Sequence, residues 1–176
     1  FRGTDINLSL KTVLVSSLAC LVLALPSLYL SVSATESKES PIAIVIHGGA
    51  GTIQRELMSD EMERRYRGVL AEAIESGYQI LKNDGSSTEA VIATITILED
   101  SPLFNAGHGA VFNHDGNIEL DASIMQGSDL NAGAVAAVSR VRNPITLALS
   151  VLEHSPHVML VGEGAEMFAK QQGIPL

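Results

Sequence analysis

Cysteine, tryptophan and positive charge are scarce in this chain. Its one cysteine, Cys20, cannot form an intramolecular disulfide and excludes metal sites built from CxxC pairs. Acidic residues outnumber basic ones by 20 to 11. Because phosphate binding needs a surplus of lysine and arginine, nucleic acid is excluded as an expected partner. A hydrophobic share of 46% is too high for a disordered chain, so the 176 residues are expected to form a globular domain or part of one.

Residues 1–34 carry the pattern of an export signal peptide. Two basic residues precede an apolar stretch over 13–30, and Val32-Ser33-Ala34 supplies the small residues that a signal peptidase accepts. Cleavage is predicted before Thr35, which makes the protein exported (periplasmic or secreted) and leaves residues 35–40 as a polar spacer. The alternative is an uncleaved membrane anchor, since about 18 apolar residues just span a bilayer. A proline inside the stretch favours cleavage.

Residues 41–176 alternate helix and strand signals. Ser59 and Ser86, each followed by acidic residues, indicate helix starts. The unbroken apolar run 42–46 indicates a strand buried on both faces. The predicted helices are 60–81, 86–99, 143–154 and 164–172; the predicted strands are 42–46, 110–112, 118–124, 133–141 and 157–161, with a hairpin turn at 113–117. Helices grouped before and after the strands indicate helices packed over antiparallel sheets.

A glycine-rich run, His47-Gly48-Gly49-Ala50-Gly51, directly follows the first predicted strand. Glycines here let backbone amides face a cavity and cradle an anion or an oxyanion. Neither an esterase nor a nucleotide site is indicated, because the chain has no GxSxG elbow and no GK[ST] string. Taken alone, the run is better explained as a structural turn.

Two further segments carry polar groups. The long loop 98–109 must satisfy its main-chain carbonyls, which a hard cation, water or side-chain capping can do. Glu119 and Asp121 lie two residues apart on a predicted strand and so share one face, usually a solvated one. The histidines are scattered and show none of the spacings of a metal cluster.

Five unusual strings occur in order along the chain: IAIVIHGGAGTI, SPLFNAGHGAVF, ELDASIMQG, NAGAVAAVSRVRNP and SPHVMLVGEGAE. Together they closely resemble the plant-type L-asparaginase/isoaspartyl peptidase family of N-terminal nucleophile hydrolases, over about residues 42–173. The resemblance implies an α+β fold, the αββα four-layer sandwich, which this chain would form only in part. It also implies hydrolysis of L-asparagine or β-aspartyl (isoaspartyl) dipeptides without an organic cofactor.

The resemblance further implies a precursor that cuts itself before a threonine. The resulting α and β chains would assemble as a dimer of αβ pairs. The freed threonine would act as the nucleophile, with its new α-amino group as general base. Attack on a side-chain amide or isopeptide carbonyl would give an acyl-enzyme, which water hydrolyses.

The sequence departs from the family because it lacks this nucleophile. No Gly-Thr-[Val/Ile]-Gly-Ala-Val string is present: Thr52 lies beside the glycine-rich run, and Gly133-Ala134-Val135 follows an alanine. Residues 41–176 therefore resemble the α-chain portion of the hydrolase domain, with the β chain missing. The chain alone is expected to be inactive as an enzyme. The alternative interpretation is a catalytically inactive remnant or an interaction module.

The resemblance assigns three sets of residues. The glycine loop beside the scissile bond corresponds to His47, Gly48, Gly49 and Gly51. A structural sodium ion would be bound by the main-chain carbonyls of Leu98, Glu99, Ser101, Phe104, Ala106 and His108. Asn105 matches an active-site asparagine near the nucleophile, where it could position water or substrate.

Overall fold

The computed structural model describes residues 41–49 and 58–176. The predicted export signal (1–34), the polar spacer (35–40) and Gly51 lie outside these residues. None of the described helices is both long enough and apolar enough to cross a bilayer.

Two helices fold back on each other at the start of the described chain. Helix α1 (Asp60–Lys82) begins after Ser59, whose side chain accepts a hydrogen bond from the backbone N–H of Met62. Helix α2 (Ser87–Asp100) begins with a capping box, in which Ser86 and Glu89 each accept from the other's backbone N–H. Both helices are confirmed where the sequence predicted them, because their start signals are local.

The two helices approach closely because Gly77 of α1 faces α2. A Cβ atom on Gly77 would overlap Thr94 Oγ1 and lie 2.5 Å from Ile44 Cδ1. Residues near this contact form a small apolar cluster, whose buried members are Ala73, Leu98 and Phe104. The cluster joins α1, the end of α2 and the loop that follows it.

The predicted strand at 42–46 is wrong. These residues pair with no strand among the described residues. Ile44 and Ile46 are half-buried, whereas Val45 between them is 91% exposed, so the predicted burial on both faces is also wrong. An unbroken apolar run indicates burial, but it does not supply the neighbouring strand that completes a ladder.

The second predicted strand, 110–112, is also absent. Val111 and Phe112 are exposed and have no strand partner among the described residues. The turn that follows is present, since the backbone N–H of Asn113 donates to the carbonyl of Asn117 (2.7 Å). A turn signal alone therefore located the turn correctly without a strand on its N-terminal side.

A three-stranded sheet follows, with the spatial order β1 (Leu120–Met125), β2 (Ala132–Val138) and β3 (Met159–Val161). Strands β1 and β2 are antiparallel, whereas β2 and β3 are parallel. The expectation of antiparallel sheets is therefore correct for only one of these pairs. A helix lies between β2 and β3 and returns the chain in the same direction, as a parallel pair requires. All three strands are shorter than predicted.

Helices α3 (Pro144–His154) and α4 (Gly162–Gln171) pack on the sheet. Both are confirmed, with α4 beginning two residues before the predicted start. The main core lies between these helices and the sheet, and its largest fully buried side chains are Ile145, Leu147, Val135, Val138 and Val151. Ile92 and Ile95 of α2 also pack against this core.

The opposite face of the sheet stays exposed in the described chain. Met125, Met159 and Val161 each expose half or more of their surface. Met125 follows the buried Ile124, and the half-buried Leu160 separates Met159 from Val161. A sheet face with exposed methionine and valine lacks the apolar cover that the other face receives from α3 and α4.

A buried carboxylate fixes α4 to the end of β2. Glu166 Oε1 accepts from the backbone N–H groups of Ser139 (2.9 Å) and Arg140 (3.0 Å), and Oε2 forms an ion pair with the Arg140 guanidinium. The Ser139 hydrogen bond, with those from Arg140, holds the pKa of Glu166 below its ordinary value.

Protonation of Glu166 is expected to destabilise the fold. Since its folded-state pKa is lowered, the carboxylate stabilises the protein above its ordinary pKa of 4.5, and this contribution is lost as the pH falls through the lowered value. Glu166→Gln should therefore decrease the free energy of unfolding by about 1–2 kcal/mol at neutral pH, and by less in acid. Urea unfolding at several pH values measures this, with the exposed Glu163→Gln as control. If the difference in the free energy of unfolding between Glu166→Gln and the unsubstituted protein does not change with pH, the stabilising role of the Glu166 carboxylate is wrong.

A side chain at Gly77 is expected to push α1 away from α2. Gly77→Ala should decrease the free energy of unfolding by about 1–3 kcal/mol, because the added methyl overlaps Thr94. The matched control is Gly68→Ala on the same helix, where a Cβ atom meets nothing within 4 Å. The helix propensity of alanine should there raise stability by about 0.5–1 kcal/mol. Urea unfolding measures the change in the free energy of unfolding for both variants. Equal changes in the two variants would contradict the packing argument.

Candidate active site

The loop that carries most of the predicted site residues starts at the end of α2 and is fixed to the start of α3. Glu99 Oε1 accepts a hydrogen bond from the backbone N–H of Ile145 (3.1 Å). Asp100 Oδ1 accepts from Arg142 Nε (2.9 Å) and Asn143 Nδ2 (3.1 Å). Asn143 makes no capping hydrogen bond for α3 with its own side chain. Carboxylates from α2 therefore occupy the positive end of α3.

Glu99 is 3% exposed, yet only one of its carboxylate oxygens is satisfied. The other, Oε2, has no hydrogen-bond partner among the described residues. Burial raises the pKa of Glu99 to about 7, against the lowering effect of Ile145 and Asn143. Hydrogen bonds from Arg142 and Asn143 instead hold the pKa of Asp100 below its ordinary value. The pKa values of these two adjacent acids are thus shifted in opposite directions.

Asn105 is held in an open position on this loop. Its Oδ1 accepts from the backbone N–H of Val111 (3.0 Å), which fixes the side chain and leaves its amide NH₂ group as a donor on an exposed residue. Asn105 and Glu99 line the same cavity of about 200 Å³, together with Glu119 and Asp121. The structure therefore gathers one amide and three acidic residues around one small space.

Asp121 reaches this cavity from a bulge in the sheet. The register of β1 and β2 shifts between Leu120 and Ala122, and Asp121 Oδ1 accepts from the backbone N–H of Ala137 (2.9 Å), whose φ is 52°. The carboxylate thus satisfies the residue that the bulge displaces from the ladder. Sequence reasoning treated Glu119 and Asp121 as a solvated pair and missed this contact, which no local pattern marks.

Two glycines of the loop 98–109 approach main-chain carbonyl oxygens of the same loop closely. A Cβ atom on Gly107 (φ +48°) would overlap the carbonyl oxygen of Glu99, and one on Gly109 would overlap that of Phe104. Glycine is therefore needed at both positions for the backbone to approach these oxygens.

The six predicted sodium ligands follow the course of this loop. Leu98, Glu99, Ser101 and Phe104 are buried, Ala106 is half-buried, and His108 is exposed. Among residues 41–49 and 58–176, no group of three or more acidic, histidine or cysteine side chains could hold a metal ion. Main-chain carbonyls are suitable donors for a hard cation. Those of Leu98, Phe104 and Ala106 also accept backbone hydrogen bonds within the loop, and each keeps a second lone pair. The donor type therefore fits the predicted ion.

The described part of the glycine loop meets the same loop at Phe104. A Cβ atom on Gly48 would lie 3.3 Å from Phe104 Cε1, and His47 Nδ1 accepts from the backbone N–H of Gly49 (3.3 Å). Gly48, Gly49 and Phe104 line a second cavity of about 370 Å³ with Tyr66, whose ring stands edge-on to Phe104 with centroids 5.6 Å apart. The predicted glycine loop and the predicted sodium loop are therefore neighbours.

Comparison with known proteins confirms the family resemblance. A profile of the asparaginase family matches residues 40–176. The chain is 53% identical to an isoaspartyl peptidase of Salmonella typhimurium over 131 residues, which cover 74% of this chain and 42% of that protein. It is 48% identical to an isoaspartyl peptidase/L-asparaginase of Xenopus laevis (75% and 41% covered) and 48% identical to a plant-type L-asparaginase of Pyrococcus furiosus (76% and 42% covered).

The chain spans about two fifths of the length of these relatives. The family profile nevertheless covers all of the described residues, including both loops that meet at Phe104. An identity near one half over more than 130 residues in a bacterial, an animal and an archaeal protein leaves no ambiguity about ancestry. On these grounds the chain belongs to the asparaginase family.

Proposed function

We propose that this chain is the N-terminal, α-chain part of an amidohydrolase that releases its own threonine nucleophile and hydrolyses L-asparagine or β-aspartyl dipeptides. The main support for this proposal is that the glycine loop contacts the loop of Asn105 at Phe104. The family resemblance assigns both loops to one active site. The relatives' names, isoaspartyl peptidase and L-asparaginase, give the substrate classes. The nucleophile belongs to a β chain that this sequence does not contain.

The exposed face of the sheet supports the four-layer αββα arrangement. Helices α3 and α4 supply one outer layer, while Met125, Met159 and Val161 leave the other face of the sheet bare. In the proposed whole protein, a second sheet that includes β-chain strands stacks on this face at about 10 Å. Two such αβ pairs then form the dimer.

In the proposed reaction, the threonine hydroxyl attacks the substrate's side-chain carbonyl and its α-amino group accepts the proton. The carbon–nitrogen bond breaks, ammonia or the amino acid leaves, and water hydrolyses the resulting ester. Asn105, fixed by Val111, donates from its amide to the attacking water or to the substrate. Gly48 and Gly49 shape the backbone beside the bond that the precursor cleaves.

Activity is expected to require the β chain. The 176-residue chain alone should release no ammonia from L-asparagine and no amino acid from β-aspartyl dipeptides, because the threonine and its amine are absent. The gene product expressed with the coding sequence that follows the codon for Leu176 should cleave itself and hydrolyse both substrates. Ammonia assays and mass spectrometry measure this.

Either of two results would count against the proposed function. Activity of the short chain above a boiled control would require a different nucleophile. A longer product that stays uncleaved and inactive would support the remnant or interaction module instead.

A structural sodium ion in the loop 98–109 is part of this proposal. Its ligands would be the main-chain carbonyls of Leu98, Glu99, Ser101, Phe104, Ala106 and His108. The close approach of Gly107 and Gly109 to carbonyl oxygens of this loop supports it. A bound ion would hold its coordinating carbonyl oxygens together and so stiffen the loop that holds Asn105. No organic cofactor takes part.

Sodium is expected to stabilise the longer gene product against heat. Its Tm should be higher in sodium chloride than in tetramethylammonium chloride of equal ionic strength, by roughly 2–4 °C for each kcal/mol of binding free energy. Glu99→Gln should keep this difference, because the ligand is the carbonyl. Pro102→Gly should lower the Tm in both salts by enlarging the unfolded ensemble. Equal Tm values in the two salts would contradict the ion assignment.

Export through a cleaved signal peptide over residues 1–34 is proposed for the same protein. The basic start, the apolar stretch over 13–30 and Val32-Ser33-Ala34 support it. N-terminal sequencing of the exported protein should therefore give Thr35 first. Recovery of the uncut segment in a membrane fraction would show the anchor instead.

A further inference from the structure

The Glu99 side chain has a location that capping alone does not explain. We propose that Glu99 is a positioning residue for Asn105: it holds the loop of Asn105 against the N-terminus of α3 and orders the polar side of the cavity that both residues line. This inference rests on the proposed function, because it takes Asn105 to act beside the nucleophile.

The first step is the anchor at α3. Glu99 Oε1 accepts from the backbone N–H of Ile145, and Ile145 is among the largest fully buried side chains of the main core. The contact therefore ties the end of α2 to a rigid part of the protein. A backbone donor at a helix N-terminus cannot rotate away, as a side-chain donor could.

The second step is direct packing between Glu99 and the backbone near Asn105. Gly107, two residues after Asn105, lies so close to Glu99 that a Cβ atom on it would overlap the Glu99 carbonyl oxygen and lie 2.8 Å from Glu99 Cβ. The loop backbone therefore rests on Glu99 itself. A displacement of Glu99 would move Gly107 and, with it, Asn105.

The third step concerns the second carboxylate oxygen of Glu99. Glu99 Oε2 is buried and has no partner among the described residues, and Glu99 lines the cavity of about 200 Å³ that Asn105 also lines. A cavity of this size accommodates water. In the proposed arrangement, a water in this cavity donates to Oε2 and accepts from the Asn105 amide, and so restricts further the side chain that Val111 already holds.

The neighbouring Asp100 provides a matched control. It also anchors α2 to the start of α3, through Arg142 and Asn143, but Arg142 is exposed and Asp100 is not among the residues that line the cavity. A variant at Asp100 therefore tests loss of anchoring without loss of the cavity oxygen.

The experiment measures kcat and KM on a β-aspartyl dipeptide, with the processed product of the gene expressed beyond codon 176. Glu99→Ala should lower kcat by about tenfold to a hundredfold and change KM by less, since a misplaced Asn105 impairs the reaction more than the binding of substrate. Glu99→Gln should recover part of kcat, because its amide oxygen still accepts from Ile145, whereas its NH₂ group replaces the acceptor Oε2 on the cavity side. Asp100→Ala should lower the Tm and reduce kcat much less than Glu99→Ala does, because it weakens the same junction but keeps the Ile145 anchor and the cavity oxygen.

A double-variant cycle with Asn105→Ala separates positioning from general destabilisation. If Glu99 acts through Asn105, adding Glu99→Ala to Asn105→Ala should reduce kcat no further. Should Glu99→Ala fail to fold, Glu99→Asp withdraws the carboxylate by one methylene and enters the same cycle. Multiplicative losses, or an equal loss of kcat in Asp100→Ala, would overturn the inference. If the longer gene product without any substitution is inactive, the proposed function itself is refuted.

Discussion

The contact of the Glu99 carboxylate with the N-terminus of α3 is the constraint on which the rest of the described structure depends. Helix α2 contributes to both apolar clusters: Leu98 belongs to the cluster shared with α1, while Ile92 and Ile95 pack against the core under the sheet. The Glu99–Ile145 hydrogen bond sets how the end of α2 meets α3, where a carboxylate is favoured by free N–H groups and by the helix dipole. The loop 98–109 takes its position from that junction.

The same carboxylate is poorly suited to a purely structural role. One of its buried oxygens has no partner among the described residues, and burial raises the pKa of Glu99 to about 7. An unsatisfied buried oxygen costs free energy that an apolar side chain would avoid. Conflicts of this kind between local and global stability concentrate at functional sites. Glu99, whose oxygen incurs this cost, lines the polar cavity of Asn105, Glu119 and Asp121.

Features with a local cause could be predicted from the sequence, and those with a distant cause could not. Ser59 and Ser86 bond backbone groups three residues away, so the helix starts were readable. The run 42–46 shows hydrophobicity without showing whether a strand lies beside it, so its lack of a strand partner among the described residues and its one-sided burial were missed. The Glu99–Ile145 and Asp121–Ala137 contacts join residues 46 and 16 positions apart. The family resemblance singled out Asn105 as a candidate, which stays a prediction, but it gave no information on the Glu99 side chain.

The exposed face of the sheet and the cavity of the candidate site adjoin at Asp121. Asp121 lines the cavity beside Asn105, and it also lines a hollow of about 410 Å³ on the exposed sheet face, together with Ala134 and Met159. An element stacked on that face would therefore contact Asp121 as it covers the exposed apolar side chains. In the proposed whole protein, that element belongs to the sheet that includes the β chain. Burial of the apolar face and completion of the active site would then be one event, since the same layer of chain accomplishes both.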